Sequence, residues 1–261
     1  MEKDLSNENI IHIKKDNIEY IQFRKLLEYE NIIHCFTLRS NGYIDFNKHN
    51  QEKAKKSYKE IKKLLGFDNI IKTKQKHTDI VEIIEDGNEE FEQVDGLITA
   101  KNKMALSTLA ADCTSILLFD PTKNIIANVH SGWRGTEKGI IGKTIRIIKE
   151  KYNTNPADII SCICPSIRLC HFEVEEDVKD IFKNKYGYLK NIDQIIIKGQ
   201  KDRKYYIDTV EINKQIMLEE GLKHSNIIDS NICTVCNKDL FYSYRGDNHN
   251  TGRNAAIIEL K

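Results

Sequence analysis

With 261 residues, 40 % of them apolar, the chain can bury a sizeable core and has the composition of an ordinary globular protein. Forty basic against thirty-nine acidic residues leave a net charge of +1, which argues against nucleic acid or an anionic membrane as partner and for a small molecule. No apolar run nears the ~20 residues of a spanning helix, the N-terminal MEKDLSNENI lacks the basic-then-apolar order of a signal peptide, and seven irregularly spaced cysteines fit reduced thiols, so a cytoplasmic monomer or small homo-oligomer is expected.

In chain order, Ile- and Val-rich runs predict strands at IIHI (10–13), EYIQF (19–23) and NIIHCFT (31–37). QEKAKKSYKEIKKLLG then predicts a helix over 51–65, with Ala54, Tyr58, Ile61 and Leu65 on one stripe and Gly66 as its C-terminal cap. Further strands are expected at DIVEII (79–84), MALSTL (104–109), SILLF (115–119) and NIIANV (124–129), followed by a helix from Thr136 to Tyr152. DIISCIC (158–164) and NIIDSNI (226–232) read as strands, and the C-terminal TGRNAAIIELK ends in another. Between them, Asp208 stands three residues before Glu211, a capping-box spacing that opens a helix closing at Gly221. No repeat or linker divides the chain, so one domain over 1–261 is expected, of mixed α/β (α+β) class: a layered sandwich of mixed β-sheet with flanking helices.

The segment LAADCTSILLFDPTKNIIANVHSGWRG carries the chemistry. Two strand-like runs flank DPTKN, and a turn centred on Pro121 and Thr122 makes Cys113 face His130 across the hairpin. Directly opposed residues have Cβ atoms ~4.5–5.5 Å apart, close enough for a thiolate and an imidazole to share one metal ion or one proton. Taken alone, Cys113 would be a small buried hydrophobe and His130 a satisfied strand-end histidine. Their company changes this reading: Asp112 precedes the cysteine, Trp133 and Arg134 follow the histidine, and Gly132 and Gly135 flank a helix start where unpaired N–H groups suit an anion. His77, in KTKQKHTDIV, is a third candidate ligand, although its spacing is no short-range metal motif. Three protein ligands leave one tetrahedral position open, as in catalytic zinc sites. CTVC (233–236) looks like half a zinc knuckle without a second pair, and reads as two thiols.

KQKHTDIV, VDGLITA, LAADCTSILLFD, NVHSGWRGT, HFEVEEDV and FYSYRGDNHNTGRNAAII resemble, in order, the motifs of the YfiH-type laccase-domain family, also described as purine nucleoside phosphorylases; FTLRSNGY resembles its N-terminal Arg-containing motif. The resemblance implies a zinc-binding trio at His77, Cys113 and His130, with copper as an alternative ion, and phosphorolysis of adenosine, inosine and methylthioadenosine with adenosine deamination as a further activity. Departures are Thr78 where the family has Gly, the missing Gly-Pro pairs in CPSIRLCHFEV, and Gly246 in place of a second Arg. Arg39, Arg134 and Arg245 are the candidates for gripping phosphate, being always charged and able to bind it bidentately. Asp112 would orient a ligand or relay a proton, and Trp133 would stack on a base or wall the pocket. A multicopper oxidase would need more histidines, many in His-x-His pairs, than the eight unpaired ones here. A Cys113/His130 thiol hydrolase and a purine-binding module without turnover are the remaining rivals.

Overall fold

Strands Thr114–Asp120 and Ile125–Ser131 are buried at every position, so both faces of this hairpin must be covered, and the two-residue period of a strand divides them. Leu117, Phe119 and Ile126 meet Ile21, Phe36, Leu106 and Ile258 in one core. Ile116, Leu118, Ala127 and Val129 meet Ile141, Ile145, Phe182 and Ile216 in another. The computed structural model, which describes residues 3–47, 49–87 and 91–261, is accordingly layered.

One sheet has seven strands in the order Ile10–Lys15, Ile18–Phe23, Ile32–Thr37, Asn254–Leu260, Met104–Ala110, Asn69–Lys74 and Phe91–Glu92. The facing sheet runs Ile227–Asp229, Ile160–Ile163, Thr114–Asp120, Ile125–Ser131, Gly96–Thr99 and Val81–Ile83. Most neighbours are antiparallel, but Asn69–Lys74 with Met104–Ala110 and Val81–Ile83 with Gly96–Thr99 are parallel, so both sheets are mixed. Helix Gln51–Leu65 covers the outer face of the first sheet with Tyr58 and Ile61 against Tyr20, Cys35 and Ile257. Helices Ile140–Tyr152, Glu176–Tyr186 and Thr209–Glu219 cover the second sheet. The α/β sandwich expected from the pattern is the observed architecture.

Between the sheets, Asn128 satisfies itself fully: its Nδ2 donates to Leu106 O and Ala256 O, both at 2.8 Å, and its Oδ1 accepts from Thr108 Oγ1 at 2.7 Å. A buried polar side chain is tolerated only when paired in this way.

Capping follows the sequence. Asn50 accepts from Lys53 N at the start of Gln51–Leu65, and Gly66 closes that helix at φ 80, a left-handed conformation that costs glycine nothing. Asp208 Oδ1 accepts from Glu211 N at 2.9 Å. The helix expected from Thr136 is instead two: Trp133–Lys138 begins three residues earlier, and Gly139 at φ 78 breaks it from Ile140–Tyr152. Strands Asn69–Lys74, Gly96–Thr99, Glu173–Glu175, Ile196–Lys198 and Lys204–Ile207 were not expected, being short or too polar to carry an apolar period. Among the described residues no helix is long and apolar enough to cross a membrane.

The hairpin register differs from expectation. Ile125 pairs with Asp120 and His130 with Ser115, because the turn takes four residues, 121–124. Asp120 Oδ1 accepts from Thr122 N, Thr122 Oγ1 and Lys123 N, and Asn124 takes the left-handed φ of 52. Cys113 therefore does not face His130; it lies two residues beyond Ser115. A slip of one residue would have moved it to the other face, whereas a slip of two keeps it on the same side and within diagonal reach.

His34 is fully buried and its Nε2 accepts from Phe23 N at 2.7 Å, so burial holds its pKa down to about 3. Protonation would also set a donor against that N–H. The unfolded chain takes up this proton near the ordinary 6.5 and the folded one does not, so the contribution to stability is present above pH 6.5 and is lost as pH falls toward 3. Urea unfolding should lose up to about 1.4 kcal/mol per pH unit across this window from His34. His34→Gln, which keeps an acceptor for Phe23 N, should flatten the slope by that amount; identical slopes would remove His34 as its source.

Candidate active site

The site is organised around Asp95, at the entry to strand Gly96–Thr99 and 0 % exposed. Its carboxylate accepts from three successive backbone N–H groups, Lys76 and His77 at 3.1 Å and Thr78 at 2.8 Å, and from Thr78 Oγ1 at 2.8 Å. The ring Nδ1 of His130 donates to it at 2.8 Å, while Asp95 O accepts from His130 N at 2.7 Å. Burial pushes the Asp95 carboxyl up, but His130 and Thr78 outweigh it and hold the pKa at about 2. Concave arrays of backbone N–H groups bind anions in this manner.

This cradle bends the chain sharply, and the left-handed φ of 60 falls on His77. Thr78 keeps an ordinary φ and adds a hydroxyl bond to Gln93 O at 2.7 Å, which is why a β-branched residue is tolerated there. On the opposite wall, Asp112 has φ 86 between strands Met104–Ala110 and Thr114–Asp120. Its Oδ1 accepts from Thr234 Oγ1 at 2.6 Å, its Oδ2 from Arg245 N at 2.7 Å, and its carbonyl from Ile167 N at 2.9 Å. These bonds fix where Cys113 emerges.

The structure brings His77, Cys113 and His130 together, with ligand atoms within 4.8 Å of one another. Cys113 Sγ lies 3.7 Å from His77 Nε2, against ~3.6 Å between sulfur and nitrogen on a tetrahedral zinc with ordinary bond lengths. The Asp95 bond commits His130 Nδ1 as donor, leaving Nε2 as the ligating nitrogen, the usual carboxylate–histidine arrangement of metal sites. Gly132 closes the cradle: a Cβ there would come 2.7 Å from His77 Cδ2 and 3.2 Å from Cys113 Sγ. Burial raises the Cys113 thiol, but His130 and His77 outweigh it and bring it down to about 6. Burial likewise lowers His130, and Cys113 with Asp95 outweighs that, raising it to about 9. The donor set, tautomer and spacing suit a soft or borderline divalent cation.

The trio sits in a pocket of ≈ 840 Å³, within the range of small-molecule sites. Trp133, Arg134, Arg245 and Asp112 also line it. Arg134 is exposed, its guanidinium stacks 4.2 Å over the Trp133 ring, and its side chain makes no hydrogen bond among the described residues. Arg245 donates from Nη1 to His171 O and from Nη2 to Glu173 O, at 3.2 and 3.1 Å, leaving three of its five donors. Arg39 is not among the lining residues; its Nη1 donates to Lys238 O at 2.8 Å and its guanidinium lies over Tyr242. The sequence reading missed Asp95, Phe172 and Arg253, the last two of which line the pocket. All three lie inside motifs already quoted, VDGLITA, HFEVEEDV and TGRNAAII, but a lone aspartate before a glycine gives no signal of its own.

The model of the multi-copper polyphenol oxidoreductase laccase family matches residues 34–261. A protein of Clostridium acetobutylicum named purine nucleoside phosphorylase is 31 % identical over 253 residues, spanning 96 % of this chain and 100 % of that one. A protein named adenosine deaminase RL5, from an unknown prokaryotic organism, is 29 % identical over 209 residues, 76 % of this chain and 77 % of that one. The crystal structure of the hypothetical protein YfiH of Bacillus licheniformis matches with a TM-score of 0.87 at 25 % identity, covering 96 % and 99 % of the two chains.

Asp95→Asn, which loses the charge that fixes the His130 tautomer, should weaken zinc binding at the trio about 10–100-fold, read by competition with a chelator. Gly132→Ala should do the same by wedging His77 from Cys113, with the circular dichroism spectrum retained. Unchanged zinc affinity in both would separate the cradle from metal binding.

Proposed function

Because the chain belongs to the multi-copper polyphenol oxidoreductase laccase family, and its trio opens into a pocket bearing arginines and aromatic rings, we propose that it is a zinc-dependent purine nucleoside phosphorylase. Its proposed substrates are adenosine, inosine and methylthioadenosine with phosphate, and adenosine deamination is a further activity of the same site. The observation that carries this reading is the convergence of His77, Cys113 and His130 beside Arg134, Trp133 and Phe172 in one pocket. The names of the Clostridium acetobutylicum and RL5 relatives support it for those proteins' activities. Seven free cysteines accord with a reducing cytoplasm.

Zinc, when held by the trio, supplies Lewis acidity at neutral pH. The protein's own groups do the rest. Asp95 holds the His130 ring and its proton at Nδ1, so that Nε2 remains a lone-pair donor. Arg134 offers an unspent, permanent charge for phosphate, and Arg245 three further donors in the same pocket. Phosphorolysis develops positive charge on the ribose, so an anion held against C1′ is both nucleophile and stabiliser. Trp133 and Phe172 provide apolar surface on which a purine can stack. Asp112, with both carboxylate oxygens engaged, positions Arg245 through its backbone.

The pairing of a Cys113 thiol lowered to about 6 with His130 raised to about 9 also favours a second reading, a thiolate nucleophile without metal. Multicopper oxidation fits less well, since the two Cys/His groups among the described residues contain only two histidines and one.

Metal-analysed protein incubated with adenosine should give adenine and ribose 1-phosphate only when phosphate is present, and inosine without it. Activity that survives complete zinc removal would favour the thiolate reading. Arg134→Ala should raise KM for phosphate about tenfold or more, with KM for nucleoside much less affected, whereas Arg39→Ala should leave KM for phosphate unchanged. Equal effects on both substrates would remove the phosphate role of Arg134.

A further inference from the structure

A second group of potential metal ligands lies where two loops meet, next to Arg245, whose Nη1 donates to His171 O. Strands Ile160–Ile163 and Ile227–Asp229 are parallel neighbours, so the segments that follow each of them leave the sheet side by side. They stay together: Ser166 bridges to Cys233, Thr234 N donates to Ser166 O at 3.1 Å, and the Arg168 guanidinium grips the Asp229 carboxylate at 2.7 and 2.8 Å. This alignment brings Cys170 and His171 of one segment against Cys233 and Cys236 of the other, with Sγ, Nδ1, Sγ and Sγ all within 4.8 Å of one another.

The separations match a filled coordination sphere. Zinc with sulfur at ~2.3 Å and nitrogen at ~2.0–2.1 Å sets tetrahedral edges of ~3.8 Å between sulfurs and ~3.6 Å between sulfur and nitrogen. Observed are 3.8 Å for Cys170–Cys236, 3.5 Å for His171–Cys236 and 3.7 Å for His171–Cys233. A fourth, Cys170–His171, adjacent in the chain, is tighter at 3.1 Å, and it must open by ~0.5 Å to reach the tetrahedral edge. Cys233 and Cys236 have the two-residue spacing with which zinc is bitten by one turn.

We propose that Cys170, His171, Cys233 and Cys236 form a second, structural zinc site. Four protein ligands leave no open position, so the site tethers and does not catalyse. What it tethers is the wall of the pocket. His171 O accepts from Arg245 Nη1, and Thr234, between the two CTVC cysteines, donates to Asp112 Oδ1. The assignment is independent of the proposed activity and of the ion at the first site.

The test is elemental analysis of protein purified with reductant and zinc. Wild type should carry two zinc ions per chain. The double variant His77→Ala/Cys113→Ala should keep one, and after exchange for cobalt(II) that ion should show the intense visible bands of a tetrahedral, thiolate-rich site. Cys170→Ser/Cys236→Ser should lose this ion while the first site retains its own. Should that variant fail to fold, the first one still decides. A zinc-free His77→Ala/Cys113→Ala protein that remains folded overturns the proposal, as does a Cys170–Cys236 disulfide found by peptide mapping in the reductant-purified protein. Absence of turnover in wild-type protein carrying both ions would count against the proposed function alone.

Discussion

A single carboxylate in a dry interior holds the site together. Withdrawing Asp95 from water costs several kcal/mol for the charge, and the cost is met by donors from two places in the chain: the 76–78 turn, with its backbone N–H groups and the Thr78 hydroxyl, and the His130 ring. Charge-assisted bonds of this type contribute about 1.5–3 kcal/mol each. Because those donors bracket two of the three candidate ligands, satisfying Asp95 and placing His77 beside His130 are one structural event. The left-handed backbone of His77 persists because the surroundings over-determine it.

The third ligand comes from a different device. Asp112 is the corner at which the chain leaves the seven-stranded sheet and enters the six-stranded one, and its unusual φ is held by bonds to Thr234, Arg245 and Ile167. Cys113 thus stands at the seam between sheets, opposite the strand end that carries His130. Pocket wall, corner and metal ligand share one set of contacts, so a disturbance at the 230–245 segment reaches the cysteine through a single side chain.

Much of this was legible because it is local. The apolar strand runs of the 114–131 hairpin, the glycine stop at Gly66 and the Asp208–Glu211 box all follow from neighbours in sequence. The hairpin pairing of Cys113 with His130 was misjudged by two residues because Asp120 stabilises a four-residue turn, yet the even slip preserved the shared face. Asp95 was not legible, since its role arises from a loop and a strand that meet only in the fold. Arg39 and Arg134 were indistinguishable as sequence, but in the fold Arg134 lines the pocket while Arg39 lies outside it, engaged by Lys238 O and Asp247. CTVC had no second Cys-x-x-Cys to announce a partner, because the complement is the adjacent Cys170–His171, delivered by a parallel strand pair.

Strand Asn254–Leu260 lies in the interior of the seven-stranded sheet, with Ala256 paired to Phe36 on one side and to Thr108 on the other. During synthesis both flanking strands therefore emerge from the ribosome long before their shared neighbour, and each waits with an unpaired hydrogen-bonding edge open to any passing β-segment. A chain ending before residue 254 would therefore leave two open edges in the middle of the sheet, where the complete sheet has one continuous ladder.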